Sequence, residues 1–113
     1  MAKRRIILTA SILLFLAGAG PIGFALGAGA EAIVSQKNRA FSPNAVELAL
    51  GDTLSIHNDD QFVHDVLVDS QNFNFDSGEQ GVGQTVQIKF PAAGHYRVTC
   101  AIHPKMRLEV EVQ

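Results

Sequence analysis

A single cysteine occurs among 113 residues, so the chain builds no internal disulfide framework and Cys100 must serve another end. Positive charge is scarce beyond the first few positions. Of nine Lys and Arg, three are Lys3, Arg4 and Arg5, whereas none of the eleven Asp and Glu precedes Glu31. Residues 31–113 thus carry six cations against eleven anions, a net of −5, which excludes the basic footprint of a nucleic-acid-binding domain. Repeats, low-complexity tracts and a sustained helical period are also missing after Glu31, which argues against solenoids and helix bundles.

No charge appears from Ile6 to Ala30, a stretch of 25 residues that follows the three cations and ends in Ala28-Gly29-Ala30. That layout is expected of a cleavable secretory signal over residues 1–30, with the glycines of its second half unsuited to a lasting helix. An uncleaved segment of this length would instead anchor the chain in a membrane. Arg4-Arg5 also hints at twin-arginine export, although an ordinary basic start explains the pair equally well. Cleavage leaves residues 31–113 as one exported domain of 83 residues, periplasmic in a Gram-negative bacterium. A domain that small buries only roughly 60–65% of its unfolded surface, so a bound metal would help hold it together.

What the mature chain does contain is alternation. Val46, Leu48 and Leu50 alternate with polar or small residues before the Gly51-Asp52 turn, and Leu54 and Ile56 follow before Asn58-Asp59-Asp60. His64, Val66 and Val68 share a face, as do Val86, Ile88 and Phe90. After the turn Pro91-Ala92-Ala93-Gly94, Tyr96, Val98 and Cys100 share another, and Met106 has the parity of Leu108, Val110 and Val112. The stretch from Phe73 through Gly83 reads as loop. Six or seven short strands predict an all-β, antiparallel Greek-key β-sandwich.

Chemistry concentrates in Cys100-Ala101-Ile102-His103-Pro104-Lys105-Met106, which sets a thiolate, an imidazole and a thioether three residues apart between two strands. With one more histidine these are the ligand types of a blue-copper site. His64, on the apolar face of a strand, is the candidate. Taken singly, Cys100 reads as a small buried hydrophobe, His64 as a satisfied core residue and Met106 as packing; their joint placement argues for a metal. His57 and His95 fall on polar faces and read as surface histidines.

Cys-x-x-His-Pro-x-Met with an upstream histidine resembles the plastocyanin and azurin group of cupredoxins, and the two-residue spacers on either side of His103 resemble its amicyanin-like members. The resemblance spans residues 40–113, including Phe41-Ser42-Pro43, Gly51-Asp52-Thr53 and Gly94-x-Tyr96-x-Val98-x-Cys100. It implies one type 1 copper ion, with His64, Cys100 and His103 in plane, Met106 as a weak axial ligand, and electron transfer through the His103 edge. One departure is Asp65, where the family usually has an asparagine that braces the cysteine loop.

The expected function is therefore one-electron transport between exported redox proteins, with a partner such as a cytochrome or a dehydrogenase and with the chain a monomer. The competing expectation is a copper storage or delivery module using the same ligands. Four histidines are too few for the further copper centres of a multicopper oxidase or nitrite reductase, so no enzymatic activity is expected. Apolar surface from Ala101, Ile102, Pro104 and Met106 would ring His103. The acidic excess, including Asp59, Asp60, Asp65 and Asp69, would steer a basic partner such as a cytochrome, although ordinary solubility explains it equally well.

Overall fold

The computed structural model describes residues 29–113. The signal segment expected over residues 1–30 lies, apart from its last two residues, outside the described residues. Nine strands follow in chain order: β1 Glu31–Lys37, β2 Ala40–Ser42, β3 Ala45–Leu48, β4 Thr53–Asn58, β5 His64–Asp69, β6 Asn74–Gln80, β7 Thr85–Ile88, β8 Gly94–Cys100 and β9 Arg107–Val112.

Alternation decides which side chains meet. In β4, β5, β8 and β9 every second residue faces inward, and Leu54, Ile56, Val66, Val98, Leu108 and Val110 are each fully buried. Burial of each such side chain contributes about 1.5–3 kcal/mol. These inner faces belong to two sheets, one ordered β2-β1-β4-β7 and the other β3-β9-β8-β5-β6, so the chain is an all-β sandwich with Greek-key-like connections. At the end of the sandwich away from Cys100, Tyr96 packs on Phe90 with ring centroids 4.6 Å apart, and its hydroxyl donates to the Ala92 carbonyl at 2.8 Å.

Several sequence expectations need correction. The pairing is not purely antiparallel, because β1 runs parallel to β4 and β3 parallel to β9. Strand β1 went unread because Ala32-Ile33-Val34 does not alternate and one of its inward residues, Gln36, is polar although fully buried. The stretch read as loop holds β6, an edge strand rich in turn-forming residues. It pairs with β5 across a bulge between Asp65 and Leu67, and Gly78 takes φ +71°. Leu50 lies beyond the end of β3 and is 54% exposed rather than inward. It sits in a turn closed by the Asp52 N–H on the Ala49 carbonyl at 3.0 Å, where Gly51 has φ +101°.

Candidate metal centre

Adjacent strands bring the donors together. His64 opens β5 and Cys100 closes β8, and the two strands pair with Val66 opposite Cys100. Both side chains face inward at the same pole; His64 is fully buried and Cys100 nearly so. The loop from Ala101 to Met106 then turns back into β9, held by the Met106 N–H on the His103 carbonyl at 3.0 Å. This turn returns His103, half-buried, over the other two residues.

Cys100 Sγ stands 3.6 Å from His64 Nδ1 and 3.8 Å from His103 Nδ1, and the two Nδ1 atoms are 3.2 Å apart. Donors ringing one ion at about 2.0–2.1 Å for imidazole nitrogen and about 2.3 Å for thiolate sulfur stand roughly 3.5–3.8 Å from one another. The observed triangle is therefore close to the size one ion requires. Its chemistry, one soft sulfur and two imidazoles, suits copper in either valence. The residues fit the group, and among the described residues His64, Cys100 and His103 form the one cluster of His, Cys, Asp or Glu able to hold a metal.

The outer bonds aim these donors. His64 Nε2 lies 3.1 Å from Asp60 Oδ2. A carboxylate there calls for N–H at Nε2, which leaves the Nδ1 lone pair facing the triangle. Asp60 is itself almost fully buried, and its two oxygens also accept from the backbone N–H of Arg39 at 2.7 Å and of Gln61 at 3.0 Å. Burial works to raise its pKa, but the hydrogen bonds from Arg39, His64, Gln61 and Asn38 outweigh that and hold it below the ordinary carboxylate value. The carboxylate thus stays ionised beside His64. For His103, burial first and then the neighbouring His64 and Arg39 hold the imidazole below the ordinary histidine value, which favours its neutral, donor form.

Asp65 braces the cysteine through its backbone. Its N–H points to Cys100 Sγ at 3.4 Å, and its carbonyl accepts the Ala101 N–H at 3.0 Å. The departure from asparagine leaves both of these contacts in place. The Asp65 side chain faces β6 instead, where burial and then Asp76 and Glu79 raise its pKa.

Of the four residues singled out from sequence, the structure gathers His64, Cys100 and His103 into the triangle. Met106 ends the loop and is buried beside them, bordering the same surface depression as His103. It is therefore not part of the exposed apolar rim, which Ala101, Ile102 and Pro104 supply. His95 is exposed, as read from sequence. Asp60 and Phe62 were missed. Phe62 meets His103 edge-on with centroids 6.0 Å apart, and Arg39 lies over its ring at 4.7 Å. Asp60 leaves one trace in the sequence, a carboxylate four residues before His64, and it reads equally well as an ordinary turn residue.

Comparison with known proteins agrees with this geometry. A Cu-containing nitrite reductase from Thermus scotoductus SA-01 superposes with a TM-score of 0.65 at 27% identity, over 72% of this chain but 22% of the reductase. The chain therefore spans about a fifth of that enzyme. A reduced mutant of amicyanin matches with a TM-score of 0.68 at 22% identity, covering 73% of this chain and 81% of amicyanin. A purple cupredoxin from Nitrosopumilus maritimus matches with a TM-score of 0.65 at 23% identity, covering 73% and 99%. A search of the curated proteins returned no match. The sequence profile of the copper binding proteins of the plastocyanin/azurin family matches residues 29–113, and this chain belongs to that family, a cupredoxin domain whose His–Cys–His triad is consistent with a single blue (type 1) copper site.

Proposed function

We propose that the chain is a blue-copper electron carrier in which His64, Cys100 and His103 would hold the ion, with Met106 as a further, weaker ligand. The observation that carries this reading is the triangle of donor atoms, 3.2 to 3.8 Å on its sides, set by two adjacent strands and the loop that follows Cys100. Bound copper would supply a one-electron couple. The residues supply the frame: Asp60 fixes the His64 tautomer, the Asp65 N–H steadies the sulfur, and the turn closed on the His103 carbonyl limits how far that imidazole can swing. A frame tied at each donor rearranges little between valences, which is what rapid electron exchange requires and what storage or delivery does not.

Likeness to amicyanin, 81% of which the match covers, supports a carrier without substrate chemistry of its own. The partner is then a larger redox protein, such as a cytochrome or a dehydrogenase, and the carrier works as a monomer. Residues 1–30 are proposed as an export signal that is removed, leaving residues 31–113 outside the cytoplasm, in the periplasm of a Gram-negative cell. Voltammetry of the copper-loaded domain tests the reading. A reversible one-electron couple that survives repeated cycling without metal loss supports it. Irreversible reduction with release of copper to a chelator would replace it with storage or delivery.

A further inference from the structure

The surface around His103 has a charge opposite to that of the domain. The depression beside it is lined by Asn38, Arg39, Ile102, His103, Pro104, Lys105 and Met106, and its neighbour, sharing Arg39, Lys105 and Met106, adds Arg107. Three cations and no carboxylate line this continuous face, although residues 31–113 carry eleven acids against six bases. Lys37, exposed at the end of β1, adds a fourth cation to the hairpin that bears Arg39.

These charges are not neutralised from within. Among the described residues none of Lys37, Arg39, Lys105 and Arg107 has a carboxylate in ion-pair range. Asp60 is buried on His64 and the Arg39 backbone, and Asp59 accepts from the Ser35 hydroxyl at 2.6 Å. Along β9, which Arg107 opens, Glu109 and Glu111 bind His95, and Glu109 also binds Arg97.

Arg39 is also pre-positioned. It shares with Asn38 a two-residue hairpin turn in which both have positive φ, 55° and 54°, a region where an arginine is strained and glycine or asparagine is the usual occupant. The Asp60 carboxylate holds its N–H, and the guanidinium lies over Phe62, which in turn meets His103. A cation kept at a strained position and stacked one ring away from a metal-site imidazole is poorly explained by solubility.

We propose that Arg39, Lys105 and Arg107 form a docking rim for a redox partner that presents a carboxylate-rich face around its own exchange site. The inference rests on the carrier reading and gives the chemistry of the partner at that same edge. It reverses the expectation that acidic steering selects a basic partner. The acids placed elsewhere then have a separate effect: set against this basic pole they make the domain a dipole that turns the pole toward an acidic surface.

Gold electrodes coated with carboxylate-terminated or ammonium-terminated monolayers test the rim directly. At low ionic strength the metal-free domain should adsorb at least tenfold more tightly to the carboxylate layer when its orientation is free. The copper-loaded domain should exchange electrons faster there, with the advantage lost as salt screens it. The triple variant Arg39→Gln/Lys105→Gln/Arg107→Gln should lose both effects, while Lys89→Gln, beyond the far end of β7, should keep them. Tighter adsorption and faster exchange on the ammonium layer, or an unchanged triple variant, would overturn the rim while a reversible couple in solution leaves the carrier intact. Absence of any reversible couple in solution would remove the carrier reading and the rim with it.

Discussion

Asp60 is the residue whose replacement bears most directly on how the site is tuned. Its Oδ2 accepts from His64 Nε2 at 3.1 Å and from the Arg39 N–H at 2.7 Å, and its Oδ1 accepts from the Gln61 N–H at 3.0 Å. In Asp60→Asn the amide oxygen can still meet His64 and Arg39, but the bonds become neutral, about half as strong as charge-assisted ones. In Asp60→Ala all three hydrogen bonds vanish and a fully buried imidazole N–H loses its partner. Loss of such an outer partner costs about 10- to 100-fold in metal affinity, roughly 1.4–2.8 kcal/mol at 1.4 kcal/mol per decade. The graded expectation is about tenfold weaker copper binding for asparagine and nearer a hundredfold for alanine. Because the carboxylate makes His64 a stronger donor and so favours Cu(II), both variants should also raise the reduction potential. Competition titration against a chelator in each valence, beside thermal melts of the metal-free variants, separates a tuning effect from simple misfolding. A folded Asp60→Ala domain that binds copper as tightly as its parent at an unchanged potential would refute the reasoning.

Met106→Gln should keep an intense colour while lowering the potential, since a harder amide oxygen favours Cu(II); an unchanged potential by voltammetry would remove Met106 from the ligand set. Gln36 is fully buried and its amide finds no hydrogen-bond partner among the described residues, so Gln36→Met should stabilise the domain by about 1–3 kcal/mol in urea titration. A clear loss of stability there would show that the amide is bonded after all. His95 bonds Glu109 at 2.8 Å and Glu111 at 3.2 Å, and these contacts raise its pKa above the ordinary value of about 6.5. Its stabilising effect is complete below that ordinary value and fades as pH rises through the folded pKa. Proton NMR should show the raised midpoint in the parent and a return toward the ordinary value in Glu109→Gln/Glu111→Gln.

The triangle was legible because its determinants are local. Cys100 ends β8 and His103 follows three residues later in the loop, and period-two parity alone put His64 and Cys100 on inward faces of strands that prove to be neighbours. The strands rich in Val, Leu and Ile were legible for the same reason. Strands β1 and β6 were not, because their membership of a sheet is decided by partners distant in sequence: β1 lies in register with β4, and β6 depends on a bulge opposite β5. Asp60 was hidden for a related reason. Its role depends on a loop conformation that folds residues 39, 60 and 64 together, and no spacing rule encodes that. The basic rim escaped because net charge averages over the whole chain, whereas Arg39 and Lys105 approach each other only in three dimensions.

Copper titration of residues 31–113, followed by visible absorption, is the most direct trial of the donor triangle. Saturation at one copper per chain with an intense thiolate-to-copper band, abolished by Cys100→Ser, is the expected result. A colourless complex, or a band that persists in the Cys100→Ser domain, would contradict it.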